Sequence, residues 1–342
     1  MAGIERDFGE RIDQAIEDYL TAISLGEELV QKHPNNARYL DILAKCYKDL
    51  AVVYDAERFP YEQVLECNRK ALAINRRLVA ENSDVPEYHR NLARILHNLG
   101  VGELKRGNNG EAEKFFRESL SVRNGMTRFA DPPEFHYGKA QTLFAMALSY
   151  VVTERFDDAD REFVMALQLL DELQELHPDR FGNDELNMQG MILFGLGEMN
   201  FRSDRPDVAC SYFVRALQPF GILVEKSPEH IGYQRQLNDA LSLLFDCLVR
   251  ENKDDEAIAI FRQREESLLE TAIVFPDVIQ FLCQWYLRVA EFHFERGRKD
   301  EAVRALQNGF EPLDVLEDDR TAEEEMLWEK IRTRLREIVN EE

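Results

Sequence analysis

Residues 98–120 read NLGVGELKRGNNGEAEKFFRESL, and this stretch carries a complete helix–break–helix pattern. On its first side, Leu92, Leu96 and Leu99 recur at the three- and four-residue spacing of one helix face. KRGNNGE, residues 105–111, then interrupts with Gly and Asn, which favour turns. Ala112, Phe115, Phe116, Ser119 and Leu120 rebuild an apolar face on the far side. A small residue among large ones lets two helices cross closely. One such hairpin cannot bury its apolar face alone, so stacked neighbours must complete the core.

The sequence supplies those neighbours. A small turn with an aromatic five residues on occurs at Pro34 with Tyr39, Ser83 with Tyr88, Ala130 with Phe135, Pro228 with Tyr233 and Pro276 with Phe281. At Pro178 the turn is kept, but the aromatic, Phe181, follows after three residues. By subtraction these turns step by 49, 47, 48, 50 and 48 residues. A second mark, a small residue after a charged turn, falls at Ala15, Val64, Ala112, Ala159, Ala209, Ala257 and Ala302, stepping by 49, 48, 47, 50, 48 and 45. Two independent marks sharing one period predict a repeat array. The fold expected is an all-α solenoid of tandem helical hairpins, right-handed, over the whole of 1–342. Its parts are a lone second helix at 10–31, hairpins at 37–82, 86–129, 133–177, 183–226, 229–274 and 277–317, and a capping helix at 321–340.

Composition agrees with this. Gly and Pro number only 17 and 11 in 342 residues, too few for many short strands and turns. The formal net charge is −23, which argues against a nucleic-acid partner and would steer cationic ones. Cys46, Cys67, Cys210, Cys247 and Cys283 are odd in number and irregular in spacing, with no CxxC pair, and read as reduced thiols of a cytoplasmic protein. The opening MAGIERDFGERID lacks an apolar stretch, so no leader peptide is expected, and no apolar run is long enough for a membrane span.

The stretch at 98–120 resembles the tetratricopeptide repeat. Leu99 and Gly100 match its Leu-Gly pair, Gly107 its turn glycine, Ala112 its small second-helix residue, and Phe116 and Leu120 its aromatic and aliphatic positions. GLGEMNFRSDRPDVACSYFVRAL, residues 195–217, is similar through Leu196, Gly197, Ala209, Phe213, Ala216 and Leu217; residues 146–167 match through Ala147, Tyr150, Ala159, Phe163 and Ala166. The period near 48 departs from the family's 34, and the extra length sits mostly in longer helices such as NRKALAINRRLVAEN. The spacing of hairpins by ENSDVPEYHRNLA is also similar to repeats of planctomycete-type bacterial proteins. The unit at 229–275 is degenerate, with Phe245 where Gly or Ala is usual and Arg264 where Ala is usual.

The resemblance implies a non-catalytic protein-interaction scaffold whose first helices line a concave groove. Carried over by motif, the groove positions are Lys45, Lys48, Arg94, His97 and Lys105; then Gln141, Phe144, Leu148 and Val151; then Met191, Phe194, Glu198 and Phe201; then Asp239, Ser242, Asp246, Gln284, Glu291 and Phe294. They run from basic through apolar to acidic, which suits a segment with an apolar centre and oppositely charged ends. The Lys/Asn/Arg carboxylate clamp of chaperone-binding members is not reproduced, since His97 and Val101 stand in its place. No phosphate-loop, dinucleotide, zinc-protease or serine-hydrolase motif occurs, so no enzyme, cofactor or metal is expected. The acidic runs at 317–319 and 323–325 lack calcium-loop spacing. Trp285 and Trp328 read as core residues, and His33 and His177, each before a proline, as turn residues. The alternatives to a scaffold are a self-associating subunit, joined through the open N-terminal helix, and a peptide- or ligand-sensing module.

Overall fold

A single helix opens the chain: α1 spans Ala2–Lys32 in the computed structural model, starting earlier than the expected 10. The structure describes residues 2–56, 59–126, 129, 133–314 and 320–340, and only the backbone of 2–11, 133, 134, 276 and 340. The turn mark at Ala130 and the acidic run at 317–319 lie outside the described residues. The chain divides into two compact units, Met1–Arg180 and Phe181–Glu342.

In the first unit α1 is followed by α2 (Ala37–Ala56), α3 (Tyr61–Glu81), α4 (Pro86–Lys105), α5 (Asn109–Gly125), α6 (Pro133–Val152) and α7 (Phe156–Leu176). The second unit holds α8 (Asn183–Arg202), α9 (Pro206–Lys226), α10 (Ile231–Arg250), α11 (Asp254–Ala272), α12 (Ile279–Glu295), α13 (Lys299–Asp314) and α14 (Ala322–Asn340). Among the described residues there is no strand. Within each unit consecutive helices pack against one another, so each is an all-α stack of helical hairpins. First helices begin at 37, 86, 133, 183, 231 and 279, stepping by 49, 47, 50, 48 and 48 residues. The shorter last step of the second mark has its cause in α12, which has 17 residues where α10 has 20.

Two turns recur. Inside a hairpin, one residue takes a positive φ: Gly107 (78°), Glu154 (58°), Asp204 (58°), Asn252 (59°) and Gly297 (71°). The amide after it returns to a carbonyl one helical turn back, as Asn108 to Glu103 at 2.9 Å, Arg155 to Tyr150 at 2.8 Å and Arg298 to His293 at 2.8 Å. This is the left-handed helix stop that satisfies end carbonyls, and glycine fits it without strain. Between hairpins, His33, Asn82, His177 and Ser227 each donate a backbone N–H to the carbonyl four residues earlier, at 2.9, 2.9, 2.9 and 3.0 Å. The turn role expected of His33 and His177 is therefore a backbone one.

Close crossings sit where the small residues stand. A Cβ added at Gly100 would lie 2.4 Å from the Phe116 ring, and one at Gly197 would lie 2.6 Å from Phe213. Both rings are fully buried. Phe245 breaks this rule in α10. It is buried and stands edge-on to Trp285 and Phe292, with ring centroids 5.8 and 5.6 Å away. Both rings belong to α12, and α10 packs more extensively on α9 than on its own hairpin partner α11. Arg264 of α11 is buried and donates from Nη2 to Gln234 Oε1 at 3.0 Å. Trp285 is core, as expected, and its Nε1–H donates to Asn238 Oδ1 at 2.6 Å.

The last helix does more than cap. Ile331 and Ile338 of α14 are buried, and Trp328 stacks on Phe310 at 5.5 Å. The helix packs on α13 and reaches α12, the place that the first helix of a further hairpin would take. Among the described residues, no helix is long and apolar enough to cross a membrane.

Candidate partner-binding grooves

Side chains that recur every three or four residues on a first helix form one stripe, and neighbouring stripes make a surface. In the second unit the stripes of α8, α10, α12 and α14 enclose a groove of about 1000 Å³. Of the residues expected there, it brings together Phe194, Glu198, Asp239, Ser242, Asp246, Gln284 and Glu291. It adds Arg235, Leu243, Val249, Leu287, Arg288, Met326, Leu327 and Lys330, which the motif alignment missed. Leu243 was legible one helical turn beyond Asp239, and Val249 lies one turn beyond Asp246. The α14 residues carried no such signal, because that helix matches no repeat motif.

Charges in this groove are partly spent on one another. Arg288 bonds Asp246 and also donates to the Ser242 carbonyl at 3.3 Å. Arg334 grips both oxygens of Glu291 at 2.9 and 2.8 Å. Arg235 of α10 meets Glu323 of α14 at 3.2 Å. Glu198, Asp239 and Glu295 make no ion pair among the described residues. Enclosure between the groove walls pushes the Asp239 carboxyl above its ordinary value, and Arg235 and Arg288 only partly offset that. Met326 is 74% exposed, so the apolar lining is open to a partner.

Three other expected residues stand aside from this surface. Arg250 covers the Phe201 ring at 3.8 Å, and Arg334 covers Phe294 at 4.7 Å, so both faces are already occupied by cation–π contacts. Met191 accepts from Gln236 Nε2 at 3.4 Å.

The first unit corrects the expected basic start. Lys45 pairs with Asp41 at 2.8 Å and approaches Glu87 at 3.9 Å; Lys48 pairs with Asp49 at 3.0 Å, and Lys105 with Asp55 at 2.6 Å. These acids stand one residue, one turn or one repeat away from the lysines, at positions the repeat motif does not mark. Arg94 is exposed and makes no ion pair among the described residues. His97 lines a cleft of about 240 Å³ with Val52, Asp55, Asn68 and Val101. Its ring packs beside Phe116, and Nδ1 lies 3.3 Å from Thr142 Oγ1. Burial and the nearby Arg123 hold it down to about 3, so it is neutral at physiological pH. Phe144 and Leu148 are half-buried, and Phe144 leans on Phe163 at 5.9 Å. Gln141 is partly exposed beside them, whereas Val151 is buried and offers no surface.

Comparison with known proteins bears on the same elements. The family model described as Tetratricopeptide repeat matches residues 92–124, which lie within α4 and α5. No curated protein matches the chain. Among solved structures, BtubC (BKLC) from P. vanneervenii is similar at 16% identity and a TM-score of 0.51, over 73% of this chain and 87% of that one. The apo form of RapI is similar at 13% identity and a TM-score of 0.51, over 87% of this chain and 99% of that one. At such identities the likeness is one of fold. Residues 92–124 thus carry a tetratricopeptide repeat by sequence, and both units share an all-α stacking of helical hairpins.

Proposed function

We propose that this chain is a non-catalytic scaffold that holds a segment of another protein against its first-helix faces. The observation that carries this reading is the groove on α8, α10, α12 and α14, where open apolar side chains alternate with carboxylates. Its chemistry is that of recognition: apolar surface to be covered, rimmed by charges that fix register. The test is site-specific photo-crosslinking in the source cell. A photoreactive residue at Leu243 or Met326 should capture one discrete partner. The same residue at Val214, which is 55% exposed on the second helix α9, should not. Equal capture from both faces, or none from the groove, would overturn the reading.

A second reading, self-association, has its own observation. Leu20, Leu25 and Leu29 of α1 are 48%, 57% and 41% exposed along one helix. Light scattering at micromolar concentration separates the two readings, because a monomer excludes self-association as the main role.

A further inference from the structure

We propose that the groove of the second unit selects a lysine- or arginine-bearing apolar segment of a partner protein. The proposal rests on the scaffold reading above and names the partner's chemistry.

Six carboxylates line this groove, at 198, 239, 246, 291, 295 and 323, against three basic side chains at 235, 288 and 330. The excess does not vanish on pairing. Arg235 is taken by Glu323 and Arg288 by Asp246, while Glu291 is held from outside the lining by Arg334. Glu198 on α8, Asp239 on α10 and Glu295 on α12 are left, one from each of three successive first helices. The same lining holds Phe194 and Leu243, each one turn from the carboxylate of its own helix, and Leu287, two turns before Glu295. A segment crossing these helices therefore meets carboxylates interspersed with apolar side chains.

Two features favour cationic partners over neutral ones. Asp239 and Glu295 are exposed and Glu198 is half-buried, so a guanidinium or ammonium can reach all three and make charge-assisted contacts that a neutral side chain cannot. The chain's net charge of −23 also draws cations in and repels acidic segments. The apolar patches exclude a purely basic, water-soluble tail as the best ligand, because their burial supplies most of the binding energy. The occupant that satisfies both is amphipathic and basic.

The experiment uses the full chain and three labelled 16-residue peptides that share one apolar face. Their polar face carries Lys, Gln or Glu, and binding is read by fluorescence anisotropy at physiological salt. The Lys peptide should bind roughly ten-fold tighter than the Gln peptide, a few-fold for each pair formed. The Glu peptide should bind weakest. The triple variant Glu198→Gln, Asp239→Asn, Glu295→Gln should remove that preference, so that the Lys and Gln peptides bind it equally. A second triple variant, Glu225→Gln, Glu266→Gln, Glu270→Gln, removes the same charge from exposed positions on α9 and α11 and should change little. Equal losses in both triples would mean that the molecule's overall field does the work, and would overturn the proposal. Equal binding of the Lys and Gln peptides, lost on Leu243→Asp, would overturn the charge preference while leaving the scaffold reading standing. No binding below about 100 μM, or a groove filled by a second copy that the peptides displace, would also overturn it.

Discussion

At the scale of single residues, two side chains make the packing testable. Gly197 sits where an added Cβ would press on the Phe213 ring at 2.6 Å. Alanine is the better helix former by about 1 kcal/mol, yet overpacking a fixed ring costs about 1–3 kcal/mol, so the steric effect wins. Gly197→Ala is expected to destabilise the protein in urea unfolding, and adding Phe213→Leu is expected to return part of the loss. His97 gives a pH signature. Its folded value, near 3, lies below the ordinary 6.5 of a free histidine, so the unfolded chain takes up a proton that the native chain refuses. Stability from this site is complete above about pH 6.5 and falls as the pH drops below it, by up to about 1.4 kcal/mol per pH unit. Urea midpoints measured from pH 7 to pH 5 should fall faster for the native sequence than for His97→Gln. Parallel curves would show that the folded chain lets His97 take up its proton.

At the scale of helices, the hairpins are not equal. The α10–α11 pair is the loosest: α10 packs more on α9, the Phe245 ring turns to Trp285 and Phe292 of α12, and Arg264 is buried where a small residue is usual. Arg264 has one bonded partner residue, Gln234, and its Nε lacks an acceptor among the described residues. Local opening draws on such weakly packed elements first. Hydrogen exchange should therefore protect the amides of α11 less than those of α9, a difference that vanishes if the pair is as tight as its neighbours. The same hairpin marks how far the sequence was legible. Phe245 and Arg264 were visible as departures from the repeat, but a departure does not say whether the chain parts, buries the group or turns it outward. Helix spans and turns were legible because small residues, glycines and turn formers recur at fixed offsets. The groove was legible only where the motif carried a register, as at Phe194, Glu198, Asp239 and Asp246. Pairing was not: that Lys45 meets Asp41, or that Arg250 covers Phe201, depends on rotamers and on neighbours a repeat away. The part played by α14 was hidden too, since a helix outside the motif has no register to carry over.

At the scale of the molecule, each unit holds its own apolar core. In the first, Leu43, Leu50, Ala71, Ile95 and Leu96 pack together; in the second, Phe213, Phe245, Trp285, Leu306 and Ile331 do. In a stack where each helix answers only to its neighbours, stability is close to a sum over hairpins and their interfaces, and a cut removes little beyond the terms at the cut. The boundary after Arg180 follows the short 3-10 turn Pro178–Arg180, outside both flanking helices. Fragments 1–180 and 181–342 are therefore expected to fold separately, each with a helical circular-dichroism spectrum and a single cooperative melt. The groove on α8, α10, α12 and α14 draws its lining from residues 194 to 330, all within the second fragment. That fragment should bind the lysine-bearing peptide within about two-fold of the intact chain, the tolerance expected when the removed part shares no contact with the site. The first fragment should not bind it. Loss of helix in either fragment would show that the two units depend on each other for folding. A helical second fragment that has lost the peptide would place part of the binding surface before Phe181.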